Sequence, residues 1–140
     1  MADLKEPEIK ELQRAYMEMQ AIDGQLKQGN QQVAVLDQQI AEIHAISQSV
    51  AEIGEVKEGT EVFVPVANGI FAKATISKSK ELLVNVGAGV VVPTPVDGVR
   101  KLLDEQAQRV AEAKQEITRQ MDELGKHAQK VEAKLKKLIA

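Results

Sequence analysis

Two long stretches of the chain, residues 8–55 and residues 95–139, have no internal proline and repeat apolar residues every three or four positions. Such spacing predicts a helix with a narrow apolar stripe. A helix over the first stretch would be ~70 Å long at 1.5 Å per residue. A compact domain built from 140 residues cannot contain it, so each helix must protrude or pair. The sequence therefore predicts paired, protruding helices.

Composition excludes several classes of protein. The sequence contains no cysteine, which rules out disulfides, thiolate zinc sites and cysteine nucleophiles. The formal net charge is −3, unlike the basic balance that general nucleic-acid binding favours. Apolar runs fall short of the ~18 residues of a membrane span, and the first residues lack a signal-peptide pattern. We expect a cytoplasmic protein without membrane or nucleic-acid partners.

The apolar stripes predict the face by which each helix pairs. Steps of three and four alternate, with extra three-residue steps near Ile22 and Ile43 that predict local overwinding, and a four–four step at Ala113–Ile117–Met121. The first stripe comprises Ile9, Leu12, Tyr16, Met19, Ile22, Leu26, Val33, Leu36, Ile40, Ile43, Ile46, Val50 and Ile53. The second comprises Val99, Leu103, Gln106, Val110, Ala113, Ile117, Met121, Leu124, Ala128, Val131, Leu135 and Leu138. For the second helix, Thr94 is the expected N-cap and Pro95 the first helical residue.

Between the helices, residues 60–93 change to a period of two and become rich in β-branched residues, which predicts strands. Two β-hairpins are expected, one turning at Ala67-Asn68-Gly69 and one at Gly87-Ala88-Gly89. The predicted strands are Glu61–Val66, Ile70–Ile76, Glu81–Val86 and Val90–Pro93. Four such strands form a thin sheet with edges, and Pro65 indicates one edge. We expect this sheet to be completed by other chains.

An antiparallel helix pair follows from this topology, because hairpins that begin and end on one side return the second helix beside the first. Residues 1–60 carry 5 basic and 11 acidic groups, whereas residues 96–140 carry 10 basic and 8 acidic groups. Antiparallel pairing brings opposite charges together at the two termini: Asp3, Glu6, Glu8 and Glu11 near Lys130, Lys134, Lys136 and Lys137. The predicted fold class is α+β, a long antiparallel coiled-coil hairpin with two β-hairpins between its helices, in one domain of residues 1–140.

The hairpin region carries the most specific resemblance. Val64-Pro65-Val66 followed by Gly69-Ile70-Phe71-Ala72-Lys73-Ala74 resembles the Val-Pro strand and Gly-x-Phe-x-Lys continuation of the α class of prefoldin subunits. Val84–Val90 is similar to the Val-Gly-x-Gly hairpin of the same class. The β class has one hairpin, so two hairpins indicate the α class or the related γ form that assembles into filaments.

This resemblance implies a hexamer of two α and four β subunits, with a β-barrel platform between subunits and six coiled coils. It implies a chaperone that works without ATP or another cofactor, and no enzyme. Such a holdase captures unfolded polypeptides at the coiled-coil tips and passes them to a group II chaperonin. Filament formation and an RNA-binding coiled-coil arm are the alternatives for function.

Two sets of apolar residues are the candidate sites. At the open end of the helix pair, Met17 and Ile139 fall beside the stripes, and apolar groups there can bind clients unless they pack within the pair. The candidate client-binding residues are Leu4, Ile9, Leu12, Tyr16, Met17, Met19, Val131, Leu135, Leu138 and Ile139. The candidate subunit-assembly residues are Val62, Phe63, Val64, Ile70, Phe71, Leu82, Leu83, Val84, Val90 and Val91.

Other polar features favour simpler interpretations. His44 and His127 lie on different helices without clustered carboxylates, which favours solvated positions over a metal or general-base role. Gly87-Ala88-Gly89 joins two strands and lacks the Lys-Ser/Thr of a phosphate-binding loop, so it is interpreted as a turn. The lysines from Lys126 to Lys137 can contact RNA, acidic tails or a chaperonin, or simply complement the helix dipole and the acidic N-terminus.

Overall fold

The computed structural model describes residues 4–139 and contains two long helices separated by four strands. The elements are α1 (Glu6–Glu55), β1 (Glu61–Ala67), β2 (Ile70–Thr75), β3 (Glu81–Gly87), β4 (Val90–Pro95) and α2 (Val96–Ile139). This order confirms the predicted fold class of two helices with two antiparallel hairpins between them. The chain divides into two compact units: Met1–Gln38 with Val110–Ala140, called here the terminal unit, and Gln39–Arg109, the hairpin unit.

Helix α1 begins two residues before the predicted start. The backbone N–H of Lys5 donates to the Glu8 carboxylate at 3.2 Å, which is half of a capping box. Glu6 and Glu8 also place negative charge in the first turn, where the helix dipole favours it. Pro7 fits this turn because its missing N–H would have no partner there.

Within the terminal unit the helices run antiparallel, as predicted. The Lys134 ammonium lies 3.1 Å from the Glu11 carboxylate, and the Lys114 ammonium lies 2.6 Å from the Asp37 carboxylate. Other charged residues were also predicted to pair across the helices. Of these, Lys136 pairs instead with Glu132 on its own helix, and Asp3 lies outside the described residues. The core of this unit is a buried cluster with half-buried neighbours: Ala15, Ile22 and Val131, surrounded by Met19, Leu26, Leu124, Ala128 and Leu135.

The stripe of α1 that faces α2 differs from the predicted one. Tyr16, Ile46 and Ile53 are exposed, and the facing positions belong instead to small residues such as Ala15 and Ser47. With them the facing series alternates steps of three and four throughout, so the expected overwinding is wrong. The series, called here the seam, is Leu12, Ala15, Met19, Ile22, Leu26, Gly29, Val33, Leu36, Ile40, Ile43, Ser47, Val50 and Gly54. Small residues allow close approach of the helices but add little to an apolar pattern.

The seam of α2 also differs in two places. Ala107 is buried where Gln106 was expected, and Lys114 is half-buried where Ala113 was expected. Lys114 can occupy such a position because its methylene groups pack while its ammonium reaches Asp37. The four–four step therefore lies at Val99–Leu103–Ala107, and its predicted location near Ile117 is wrong.

The strands form two separate two-stranded sheets, β1–β2 and β3–β4, so the expectation of one four-stranded sheet is wrong. Glu61 pairs with Thr75 in the first hairpin and Glu81 with Pro95 in the second. Each hairpin carries a register irregularity at the equivalent place, between Pro65 and Ala67 and twenty residues later between Asn85 and Gly87. The two hairpins thus share the same strand pairing, with an irregularity at the same place.

The predicted cap of α2 is also wrong. Thr94 and Pro95 continue β4, and the Thr94 hydroxyl donates to the Val92 carbonyl at 3.2 Å. The first helical N–H, that of Val96, donates to the Lys80 carbonyl at 3.0 Å, just before β3. Strand pairing extends to the end of the hairpin, so Thr94 and Pro95, which the local sequence predicts as the N-cap and first residue of α2, belong to β4 instead.

Candidate functional site

An apolar groove lies on one side of the helix pair in the terminal unit. Its walls come from both helices: Leu12, Gln13, Tyr16, Met17, Leu135 and Ile139. Tyr16, Met17 and Ile139 are 61%, 68% and 64% exposed, although large apolar residues favour burial. The groove therefore offers apolar surface that the helix pair itself does not cover.

The heptad register explains why the groove is one-sided. Gln13, Tyr16 and Ile139 each directly follow a seam residue, and in an antiparallel pair such residues of both helices share one flank. We call this flank the following flank. Residues that directly precede a seam residue lie on the opposite side, the preceding flank.

At the level of the groove, the preceding flank of the same unit is charged. Glu11 and Lys134 form their ion pair there, and the Glu18 carboxylate contacts Nε2 of His127 at 2.5 Å. Lys10 and Pro7 line the shallow depression beside them. At the level of the groove, the terminal unit therefore presents an apolar side and an ionic side.

The ten candidate client-binding residues fall into three groups in the structure. Ile9, Tyr16, Met17 and Ile139 are exposed, and Tyr16, Met17 and Ile139 line the groove. Val131 is buried against Ala15 and Ile22. The rest are half-buried: Leu4, Leu12, Met19, Leu135 and Leu138. Leu12 and Leu135 form the groove floor, whereas Val131 serves the pairing of the helices.

Sequence reasoning missed Gln13 as a groove residue and Glu18 as the partner of His127. Gln13 is polar and carries no apolar signal. Glu18 and His127 both precede seam residues, so an exact seam would have revealed their pairing across the helices. His44 is exposed on α1.

Among residues 4–139, no group of three His, Asp or Glu side chains is arranged to hold a metal ion. A cluster of charged side chains lies on α2, where the Arg119 guanidinium bonds Glu116 and Glu123 at 2.6 Å each. The hydrogen bond from Arg119, aided by its charge, lowers the pKa of Glu116. These exposed pairs follow helical spacing and take no part in the groove.

The candidate assembly residues divide between the two faces of each hairpin. On one face Val62, Leu82 and Val84 are half-buried. On the other, Phe63 and Phe71 share the first hairpin, and Leu83 and Val91 share the second, all exposed. The remaining members, Val64, Ile70 and Val90, are exposed as well. The hairpin unit thus presents two apolar faces that its own residues leave open.

None of the helices within residues 4–139 is long and apolar enough to cross a membrane. A family model described as "Prefoldin subunit" matches residues 22–140. The chain is 30% identical over 123 residues to prefoldin subunit alpha of Methanopyrus kandleri, covering 86% of this chain and 78% of the relative. It is 27% identical over 110 residues to prefoldin subunit alpha of Methanobrevibacter smithii, covering 79% and 75% of the two chains.

A solved filamentous prefoldin from Methanocaldococcus jannaschii has a similar fold, with a TM-score of 0.75 at 17% sequence identity. The match covers 85% of this chain and 98% of that one. The fold and the family match together define a chaperone-type coiled-coil subunit that carries two β-hairpins. The chain belongs to the prefoldin family, whose members are non-enzymatic chaperones and form oligomers with other prefoldin subunits.

Proposed function

We propose that this chain is a subunit of an ATP-independent holdase that captures unfolded polypeptides in the apolar groove of the terminal unit. The observation that carries the proposal is the exposure of Tyr16, Met17 and Ile139 beside a well-packed seam. The seam residues already pack the two helices together, so this packing does not need the side chains of Tyr16, Met17 and Ile139. Met17 and Tyr16 also suit varied clients, because a thioether adapts its shape and a phenol contacts both apolar and polar groups.

One groove binds weakly. Burial of an apolar side chain contributes roughly 1.5–3 kcal/mol, and the entropy lost on association consumes much of the total. Several grooves on one oligomer raise the effective concentration of each further contact, so the assembly holds a client that one helix pair releases. Capture in this scheme depends on oligomerisation.

The hairpins supply the oligomerisation in this proposal. Their open faces around Phe63 and Leu83 pair with hairpins of prefoldin β subunits, in a β-barrel platform of two α and four β chains. Bound clients then pass to a group II chaperonin in the cytoplasm. The support for this composition is the family membership and the two exposed hairpin faces.

The test replaces groove residues by polar ones, in the variant Tyr16→Ser, Met17→Gln. Truncation is less suitable, because a deletion from residue 131 onward removes the buried Val131. The matched control is Val35→Gln, since Val35 is also exposed on α1 of the terminal unit but lies outside the groove. Light scattering of a denatured client, with and without ATP, measures capture, and sedimentation measures assembly.

We expect the groove variant to assemble normally and lose most suppression of aggregation, with ATP making no difference. The control keeps its activity. Full activity in the groove variant would place capture elsewhere on the molecule, and a requirement for ATP would refute the holdase mechanism.

A second candidate function is self-assembly into a structural filament. The supporting observation is the fold similarity to a filamentous prefoldin. Electron microscopy of the chain alone distinguishes the two: a holdase subunit forms closed particles, whereas a filament protein forms fibres whose length rises with concentration.

A further inference from the structure

On the preceding flank of the helices, residues that are polar in the terminal unit are replaced by apolar ones in the hairpin unit. One series of α1 residues lies at seven-residue intervals, and each member directly precedes a seam residue. Its members are polar except for the last two, which are isoleucine. The series is Glu11, Glu18, Gln25, Gln32, Gln39, Ile46 and Ile53. On α2, Leu102 directly precedes the seam residue Leu103, while the residues at later seven-residue intervals are charged: Arg109, Glu116, Glu123, Lys130 and Lys137. Each of these two series thus becomes apolar only near the hairpins, whereas Val35, which precedes Leu36 outside these series, is an isolated exposed apolar residue of the same flank in the terminal unit.

The structure leaves this patch uncovered. Ile46, Ile53 and Leu102 are 51%, 41% and 47% exposed. All three precede seam residues, so they share one flank of the antiparallel pair. The opposite flank of the same unit is polar, with Arg100 donating to the Ser47 hydroxyl at 3.4 Å. Within the hairpin unit, apolar surface is therefore concentrated on one side.

We infer that this patch, Ile46 with Ile53 and Leu102, docks against a neighbouring subunit of the assembly, a second chain of the prefoldin type. The inference rests on the proposed assembly through the hairpins. Three half-exposed side chains are too few for a stable interface, which buries about 800 Å² on each partner. The patch can therefore add to an interface but not create one, and the hairpins of the same unit expose the remaining apolar area.

The side chains also favour a fixed partner over a variable client. Isoleucine is restricted about χ1 and loses little rotamer entropy when it is covered, which suits one complementary surface. The groove of the terminal unit instead contains the flexible Met17. A neighbour already held by the hairpins reaches the adjoining helix segments first, which explains why the polar series ends at Gln39.

The test restores the polar series with the variant Ile46→Gln, Ile53→Gln, Leu102→Gln. Glutamine occupies the heptad position of Ile46 and Ile53 at Gln25, Gln32 and Gln39, so α1 tolerates it there, and glutamine is a good helix former at the exposed Leu102 of α2. We expect normal helical circular dichroism and an oligomer dissociation constant at least 10-fold higher by sedimentation equilibrium, for the chain alone or with a β-type partner. Val35→Gln serves as control and leaves the constant unchanged.

A second measurement identifies what covers the patch. Because the chain contains no cysteine, Ile46→Cys accepts a single benzophenone–maleimide label, with Val35→Cys as control. Photolysis of the assembled protein should join position 46 to another subunit, and position 35 should give no such product. An unchanged dissociation constant, or a label at 46 that captures only a denatured client, overturns the inference while leaving hairpin assembly intact. A wild-type chain that stays monomeric with and without a β-type partner refutes the proposed assembly itself.

Discussion

The terminal unit and the hairpin unit place their apolar side chains in opposite ways. In the terminal unit the seam is buried around Ile22 and Val131, the preceding flank holds ion pairs at the level of the groove, and the apolar groove lies on the following flank. In the hairpin unit the preceding flank and the hairpin faces are apolar and open. The first unit buries its seam within its own helix pair, whereas we propose that other chains complete the second. We propose that the exposed apolar side chains have two roles, client capture in the terminal unit and assembly in the hairpin unit.

The largest expected effect comes from charging the hairpin faces. Phe63→Asp with Phe71→Asp places two carboxylates on one exposed face, where assembly would bury them without partners. We expect monomers with unchanged helix content, measured by sedimentation velocity and circular dichroism. Wild-type protein that is already monomeric at micromolar concentration, with or without a β-type partner, would contradict this role for the hairpins.

The next largest effect is a difference in the free energy of unfolding between replacing a buried and replacing an exposed apolar residue of the terminal unit. Ile22→Ala removes a side chain from the buried cluster and should lower the free energy of unfolding by about 2–5 kcal/mol. Tyr16→Ala, less than two turns away but exposed, should change this free energy by less than about 0.5 kcal/mol. Urea denaturation measures both. Equal losses would mean that Tyr16 belongs to the packed pair rather than to the groove.

Two helical glycines of α1 provide a smaller, matched comparison. A Cβ at Gly24 meets nothing within 4 Å, so Gly24→Ala should stabilise the helix by about 1 kcal/mol. A Cβ at Gly29 would lie 2.8 Å from Sδ of Met121, so Gly29→Ala should lose that gain or destabilise. Thermal unfolding measures both. A rise in melting temperature for Gly29→Ala as large as that for Gly24→Ala would show that the helices are not in close contact there.

The smallest effect concerns the second hairpin turn. Ala88 has a φ of 51° and Gly89 a φ of 75°, as a type I′ turn requires, whereas Asn68 of the first turn is absent from the positive-φ region. An alanine with positive φ is strained, so Ala88→Gly should stabilise by a few tenths of a kcal/mol to about 1 kcal/mol. Asn68→Gly, the control, should not stabilise. The melting temperature of each monomeric hairpin variant, compared in the Phe63→Asp, Phe71→Asp background, measures this difference.

The amino-acid sequence determined the elements and their order, because these depend on local patterns. The change of period near residue 60, the glycines at the two turns and the opposite charges of the termini predict helices, hairpins and antiparallel pairing without tertiary information. The two hairpin motifs also indicated the family. Candidate residues such as Tyr16, Met17 and Ile139 were predicted from their apolar character at the open end.

Only the tertiary structure decided which residues face the partner helix and which flank carries the groove. Ala15 and Tyr16 are neighbours in sequence, and periodicity favoured the larger one, but a closely packed helix pair accepts the smaller. Thr94 is a good local cap, yet pairing with Leu82 holds it in a strand. A rotation of one residue about the helix axis moves a side chain by about 100°, from seam to flank. The apolar pattern of the sequence does not distinguish these two positions. Packing against the other helix determines which residue lies on the seam.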